Sequence, residues 1–180
     1  MRKNLFFVVG ASLMITGCAM PPTPQNGKEF RSIISQGGYG TAIETFIVKR
    51  PYKEVAANIK AKSNECLNTK IERRSCSHTT SSTNCNDYAD RYTAKVVDGA
   101  SKTEVHVQFI RAGEGVGTIQ LGGKAPANGN YMLVADITPA ENGKSTKIDM
   151  YSAKVFKAAP NAIKHWANGT SQGCPTFKDL

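Results

Sequence analysis

Apolar and polar residues alternate over residues 41–49, and this period of two predicts a β-strand. Pro51 follows the strand and suits the first position of a helix, where its missing N–H leaves no helical hydrogen bond unmade. Apolar and small residues then recur every three or four positions, which predicts an amphipathic helix with one buried face. That face consists of Tyr52, Val55, Ala56, Ile59, Ser63 and Cys66.

Beyond Cys66 the chain shows six strand-like segments separated by turn signals. They cover residues 67–73, 88–97, 103–110, 116–121, 131–138 and 146–151. The Gly-rich run over residues 113–117 predicts a hairpin turn rather than a phosphate-binding loop, because it neither follows a Rossmann-type strand nor opens a helix. A short final helix is predicted over residues 160–168, with Ala159, Ile163 and Trp166 on one side and Gly169 as its stop.

This order of strand, helix, six antiparallel strands and helix is similar to that of the START-like, or helix-grip, fold. The resemblance covers roughly residues 41–168 and rests on element order. It implies an α+β domain with a curved antiparallel sheet of about six or seven strands, one N-proximal helix and one C-terminal helix, often around an apolar pocket. The alternative is an α+β domain whose sheet packs one face on its helices and leaves no cavity.

The N-terminus carries a separate pattern, in which Arg2 and Lys3 precede an apolar run over residues 5–15. This is the charged and hydrophobic part of a secretory signal, and it is shorter than the roughly 20 apolar residues of a membrane-spanning helix. The run Ile15-Thr16-Gly17-Cys18 resembles the lipobox of bacterial lipoproteins. The resemblance implies that residues 1–17 are a signal peptide and that the Cys18 thiol receives a diacylglyceryl group, so that fatty-acyl chains such as palmitate anchor the protein.

The residues after Cys18 indicate an address and a domain boundary. In Gram-negative lipoproteins an Asp at the next position tends to retain the protein in the inner membrane, so Ala19 implies the outer membrane, with the protein facing the periplasm. Prolines and glycines predict that residues 18–39 form an extended, semi-rigid tether. A single α+β periplasmic domain is then expected over residues 40–180.

The chain is basic, with a formal net charge of +9 that falls to +7 once Arg2 and Lys3 leave with the signal peptide. A basic surface suits anionic partners such as lipid headgroups, lipopolysaccharide phosphates or acidic proteins. The cations are scattered, however, and we favour a solvated basic surface that serves solubility. Nucleic acid is not expected as a partner of a lipid-anchored envelope protein.

Four cysteines remain when Cys18 is lipidated, and an even number in an exported domain predicts two disulfides with three possible connectivities. Cys76 and Cys85 bracket a polar run, which favours a bond between them and leaves Cys66 to pair with Cys174. A metal site built from Cys76, His78 and Cys85 is the rival interpretation. The chain has no C-x-x-C pair and its compartment is oxidising, so we expect no metal.

Candidate chemistry is sparse. His106 lies beside Glu104 on a predicted strand, where the pair could act as a general base, but the alternation favours a solvated face. We expect no catalytic residues and no cofactor. Four aromatic residues on predicted elements suit either core packing, which we favour, or a ligand cavity. They are Tyr88, Tyr92, Tyr131 and Trp166.

Three classes of function follow. The first is a non-catalytic, outer-membrane-anchored lipoprotein that acts as an accessory or interaction module with other envelope proteins. The second is a carrier of a lipid or another apolar ligand in a START-like pocket. The third, an uncharacterised hydrolase or cyclase, lacks a convergent set of acid, base and nucleophile in the sequence.

Overall fold

The computed structural model describes residues 22–38, 40–111, 119–120, 123–170 and 173–177. The lipobox with Cys18 and the Gly-rich turn over residues 113–117 lie outside the described residues, as does the side chain of Tyr88. The helices are α1 (Gly27–Ser35), α2 (Tyr52–Cys66) and α3 (Ala158–Ala167), with a short 3-10 turn at Glu141–Gly143. The strands are β1 (Thr41–Val48), β2 (Thr69–His78), β3 (Thr83–Asp98), β4 (Thr103–Ile110), β5 (Ile119–Gln120), β6 (Gly123–Lys124), β7 (Asn130–Ala140) and β8 (Ser145–Ala153).

The fold is α+β, with an antiparallel six-stranded sheet in the order β1-β8-β7-β4-β3-β2 and a separate two-stranded β5-β6 ribbon. Strand β1 lies at one edge beside the last strand of the chain, and β2 lies at the opposite edge. Helix α2 therefore connects the two edges of the sheet. None of the helices in the described residues is long and apolar enough to cross a membrane.

The core lies on the face of the sheet that packs against α2 and α3, which we call the inner face. Inward-pointing residues of the central strands alternate with outward-pointing ones, as the period of two predicts. The fully buried members of this layer include Val105, Val107, Leu133, Ala135, Ile137, Ile148 and Met150. Trp166 on α3 is 1% exposed and belongs to the same cluster, so the predicted burial of the last helix is confirmed.

Aromatic rings fill the space at one end of the inner face. Tyr92 stacks on Phe156 and Phe177, with ring centroids 5.8 and 4.5 Å apart, and packs at a tilt against Phe109, with centroids 4.8 Å apart. Tyr92 is 1% exposed and Phe177 4% exposed, so these side chains are core residues. The interpretation of Tyr92 and Trp166 as packing residues is confirmed.

The prediction of a tether over residues 18–39 is wrong for residues 22–38, because they contain α1. Asn26 caps this helix, since its side chain accepts a hydrogen bond from the Glu29 N–H at 2.9 Å. The Glu29 carboxylate in turn accepts from the Asn26 side-chain amide at 2.6 Å and from the N–H of Gln25, the residue before the cap, at 2.8 Å, in a variant of the capping box. Phe30 and Ile34, one turn apart, are buried against the opposite, outer face of the sheet.

Other boundaries also differ from the sequence-based expectation. Pro51 is the N-cap of α2 rather than its first residue, and α3 begins two residues early, at Ala158. Strands β2 and β3 extend to His78 and from Thr83, so the polar run between Cys76 and Cys85 is a paired hairpin rather than a loop. Most of the predicted strand over residues 116–121 lies outside the described residues, and the described part of it is β5.

Candidate functional site

A row of acidic side chains crosses the outer face of the sheet beneath α1. The strand register places Glu104 of β4 opposite Asp136 of β7, and Asp136 opposite Asp149 of β8. Thr45 of β1 continues the row, and its hydroxyl donates a hydrogen bond to the Asp149 carboxylate at 2.6 Å. Neighbouring side chains on one face of a sheet come within about 4.5–5.5 Å, so three carboxylates in line require cations. We call Glu104, Asp136 and Asp149 the acidic row.

Arg31 of α1 supplies a cation shared by two members of the row. Its Nη1 atom lies 3.1 Å from Oε2 of Glu104 and 2.9 Å from Oδ1 of Asp136. The Lys102 Nζ lies 2.5 Å from Oε1 of Glu104 and 3.8 Å from Oδ1 of Asp136. The Lys147 Nζ binds Oδ2 of Asp149 at 2.9 Å. Opposite charges therefore alternate across this face of the sheet.

His106 lies under the first turn of α1. Its Nε2 atom is 2.7 Å from Oε2 of Glu104, and its ring makes an edge contact with Tyr131, with centroids 5.8 Å apart. A Cβ atom at Gly27 would come within 2.6 Å of the His106 ring, so the absence of a side chain there lets the helix approach the sheet. The expectation that His106 is solvated is wrong, because its side chain is 12% exposed. Helix α1 covers it.

The network shifts the pKa values of two of its carboxyl groups, Glu104 and Asp136, in opposite directions. Burial opposes ionisation of Glu104, but hydrogen bonds from Lys102, His106 and Arg31 outweigh it and lower its pKa to about 2. At Asp136 the effect of burial is larger than that of the Arg31 and Lys102 charges, and its pKa is raised. A hydrogen bond from Lys147 to Asp149 raises the pKa of that lysine.

The geometry fits a latch that holds α1 better than a catalytic centre. Among the described contacts of the His106 ring, Glu104 is bound through Nε2 and Tyr131 makes a ring-edge contact, and no serine, threonine or cysteine lies among them. Arg31 and Lys102 neutralise the carboxylates beside it. The network thus fixes the position of a helix, as buried, satisfied polar networks do.

The candidate metal ligands are already bonded to each other. The structure contains disulfides between Cys66 and Cys174 and between Cys76 and Cys85, the pairing favoured by the sequence. Glu65 lies beside the first disulfide, but its oxidised sulfurs offer no thiolate ligand. His78 is engaged with Thr83, whose hydroxyl oxygen lies 2.9 Å from its Nδ1 atom.

The open clefts at the surface of the described residues include two that lie beside α3. One, of about 650 Å³, lies at the turn between β8 and α3 and combines apolar side chains with two lysines. Its lining includes Lys154, Val155, Phe156, Lys157 and Phe177. The other, of about 540 Å³, runs between the edge strand β1 and α3, and its lining includes Ile43, Glu44, Phe46 and Lys164.

Sequence reasoning missed most of the latch. The sequence shows Glu104 and His106 as neighbours on one strand, but it does not place Arg31 and Asp136 with them, because its prolines and glycines predict a tether for the segment that carries Arg31. The signal that could have identified the helix is Asn26 followed three residues later by Glu29, ahead of Phe30 and Ile34. The acidic row itself follows from the outward positions of the strands once their register is known.

Comparison with known proteins gives no functional assignment. No protein-family model matches the chain, and no curated protein matches it. One solved structure that it resembles is that of hypothetical protein jhp0584 from Helicobacter pylori, at 12% sequence identity and a TM-score of 0.35. The match covers 77% of this chain and 90% of the other. Similarity of that degree does not establish a common fold.

Proposed function

We propose that this chain is a non-catalytic accessory lipoprotein of the bacterial outer membrane, anchored through Cys18 and facing the periplasm, with its domain held close to the membrane. The lipobox-like run ending at Cys18 supports the anchor. The latch beneath α1 supports the fixed placement of the domain, because the helix that follows the anchor is part of the folded body. Interaction with other envelope proteins is the role that this arrangement serves.

The docking of the N-terminal segment is the observation that carries the proposal. Thr23 is 8% exposed, and the Gln25 side chain donates hydrogen bonds to the Thr23 carbonyl at 3.0 Å and to the Lys124 carbonyl at 2.8 Å. Five residue steps separate Cys18 from Thr23, so a fully extended chain reaches only about 15–20 Å between them. The lipid anchor therefore holds the surface around Lys124 near the headgroups.

The charge of the domain agrees with this placement. A formal net charge of +7 after removal of the signal peptide favours proximity to anionic headgroups. Exposed lysines attract such a surface only over the screening distance of about 8–10 Å at physiological salt. The acyl chains supply the stable attachment, because two or more chains bind a membrane firmly, and scattered cations contribute orientation.

Substitution of the anchor residue tests the first part of the proposal. Cys18→Ala should release the protein from the membrane fraction or leave it unprocessed, as judged by fractionation and intact mass. Met20→Ala, two residues away, is the matched control and should remain anchored. Normal processing and membrane retention of the Cys18→Ala protein would contradict the assignment.

Distance measurements test the second part. Strand β7 is 11 residues long, so its two ends lie about 33 Å apart. A nitroxide on Lys124→Cys, near the docked N-terminus, should be broadened by a relaxation agent attached to lipid headgroups. A nitroxide on Asn142→Cys, in the turn at the far end of β7, should not. Equal accessibility of the two labels would show that the domain is not oriented by α1.

Carriage of an apolar ligand is a second candidate, favoured by the cleft at the β8–α3 turn. Its apolar lining and two lysines suit an anionic amphiphile. Tyr92, Phe156 and Phe177 occupy the adjoining part of the inner face, which favours the accessory role over a START-like pocket between sheet and helix. Native mass spectrometry of the purified protein distinguishes the two, since a carrier retains a ligand in addition to its covalent acyl chains.

A further inference from the structure

Among the described residues the six-stranded sheet has two open edges, and they differ in their protection against pairing. The β2 edge carries Lys70, Glu72 and Arg74, all exposed, and charges of this kind discourage the addition of another strand. The β1 edge carries one charged residue, Glu44, which forms an ion pair with Lys164 of the same chain. The edge formed by β1 is therefore the unprotected one.

Two large apolar side chains are exposed on this edge. Ile43 is 50% exposed and Ile47 is 60% exposed, and both point to the outer face together with Thr45, as the bond from Thr45 to Asp149 shows. The groove of about 540 Å³ between β1 and α3 lies beside the same strand on the inner side. Within the part of the chain that the structure describes, β1 has no neighbouring strand on its outer side, and an edge strand with exposed isoleucines is a template for strand addition.

We infer that β1 pairs antiparallel with β1 of a second copy of this chain, about a two-fold axis that passes through Thr45. In that register Ile43 lies opposite the partner's Ile47, and Ile47 opposite the partner's Ile43. Both exposed isoleucines of each copy are thereby covered, and each forms a cross-strand pair of β-branched residues, which stabilise antiparallel ladders. The exposed edge is self-complementary, as a two-fold interface requires.

The neighbouring registers are less favourable. In an antiparallel pair, residues directly opposite each other point to the same face of the sheet. The two-fold axis can therefore pass through a neighbouring residue of β1 and still leave the outward side chains on the outer face. Centring the axis on Glu44 places two carboxylates directly opposite each other, which is destabilising, and leaves the isoleucines unmatched. Centring it on Phe46 places Ile43 opposite the partner's Lys49. Of these three registers, the axis through Thr45 is the one that places each exposed isoleucine opposite an isoleucine.

Cross-linking of the full chain in the membranes of expressing cells tests the register. Thr45→Cys should give a dimer on a non-reducing gel after treatment with a short bis-maleimide, whose two double bonds each add one cysteine thiol. Ile43→Cys and Ile47→Cys, carried on two differently tagged copies, should cross-link when expressed together and at least tenfold less when each is expressed alone. Arg74→Cys on the β2 edge is the control and should remain monomeric.

A second variant separates pairing from chance encounters. Ile47→Lys in the Thr45→Cys background should lower the dimer yield at least tenfold while the melting temperature stays within a few degrees, because Ile47 is exposed within each copy. The inference is overturned if folded Thr45→Cys protein gives no dimer, or if Arg74→Cys cross-links equally well. It is also overturned if the adduct has the mass of a different protein, which would make β1 a docking strand for another partner.

Discussion

Phe30 of α1 stacks on Tyr131 of β7, with ring centroids 5.8 Å apart. Phe30 is 1% exposed and is the largest fully buried side chain of this helix. Phe30→Ala should therefore lower the free energy of unfolding by about 3 kcal/mol, at the lower end of the range for a truncated buried Phe. Chemical denaturation measures this loss.

The same substitution should free the helix before the whole domain unfolds. Lys28 and Arg31 lie within α1, so trypsin should cleave there faster in the Phe30→Ala protein than in the unmodified one. Ser32→Ala, at an exposed position of the same helix, is the matched control and should change neither quantity. Unchanged stability and unchanged cleavage of the Phe30→Ala protein would show that α1 is not held by this contact.

The low pKa of Glu104 predicts a pH dependence of stability. Because its pKa falls from 4.5 in the unfolded chain to about 2 in the folded one, Glu104 contributes stability above about pH 4.5. That contribution is lost as the pH falls toward about 2. Glu104→Gln should lower stability at neutral pH and flatten this part of the profile, as unfolding measured at a series of pH values can show.

Asp136 has the opposite effect on the pH dependence of stability, because its pKa is raised in the folded state. A carboxyl group of this kind stabilises the folded state at low pH, and that contribution is lost as the pH rises through its folded-state pKa. The net slope of the profile thus reports the balance of the two groups. Glu72→Gln is the matched control, because Glu72 is exposed and its pair with Lys70 contributes little. A Glu104→Gln profile that parallels the unmodified one would exclude the latch as a source of acid sensitivity.

Trp166 is the single tryptophan of the chain, and its fluorescence shows whether α3 is packed against the core. Its backbone carbonyl accepts a hydrogen bond from the Asn58 side chain of α2 at 2.6 Å, and its indole is buried in the core. Trp166→Ala should cost about 3–5 kcal/mol, with little change in far-ultraviolet dichroism because the strands still pair. His165→Ala, on the exposed side of the helix, should stay within about 0.5 kcal/mol. Efficient iodide quenching of native Trp166 would contradict its burial.

The elements predicted well from sequence are those whose own pattern decides their structure. Strand β4 has the predicted bounds because Val105 and Val107 alternate with polar residues over its whole length. The buried face of α2 follows from spacing alone, from Val55 to Cys66. In both elements one face packs against a large apolar surface, and the spacing of the apolar residues in the sequence identifies that buried face.

The elements predicted poorly depend on contacts from elsewhere in the chain. A nine-residue helix such as α1 is too short to be stable alone. The prolines and glycines on both sides of it favour a tether. The helix forms because Phe30 and Arg31 bind it to the outer face of the sheet. The hairpin between Cys76 and Cys85 has a polar sequence, and its strands continue because Cys76 and Cys85 are directly paired across the ladder. The alternation within β4 predicts a solvated face for His106, because nothing in that strand's own sequence shows that α1 covers it.

The two disulfides should differ in what they stabilise. The bond from Cys66 to Cys174 spans 108 residues and holds the C-terminal segment in which Phe177 stacks on Tyr92 at 4.5 Å. Replacing both cysteines by serine should lower global stability by about 4–5 kcal/mol in the chain-entropy model. The bond from Cys76 to Cys85 closes a far shorter loop in an exposed hairpin, and its removal should cost at most about 2–3 kcal/mol. Thermal unfolding of the two double variants measures this difference.

Local probes then separate loop closure from packing. Phe177→Ala keeps the Cys66–Cys174 bond but removes a ring from the core. It should therefore lower the free energy of unfolding by only the packing part of the loss seen in the double serine variant. Hydrogen exchange should increase near residues 76–85 when the hairpin bond is removed and remain slow in β4 and β7, which form the centre of the sheet. If loss of the hairpin bond instead accelerates exchange in β4, the hairpin is coupled to the core, and its polar strands contribute to the stability of the whole sheet.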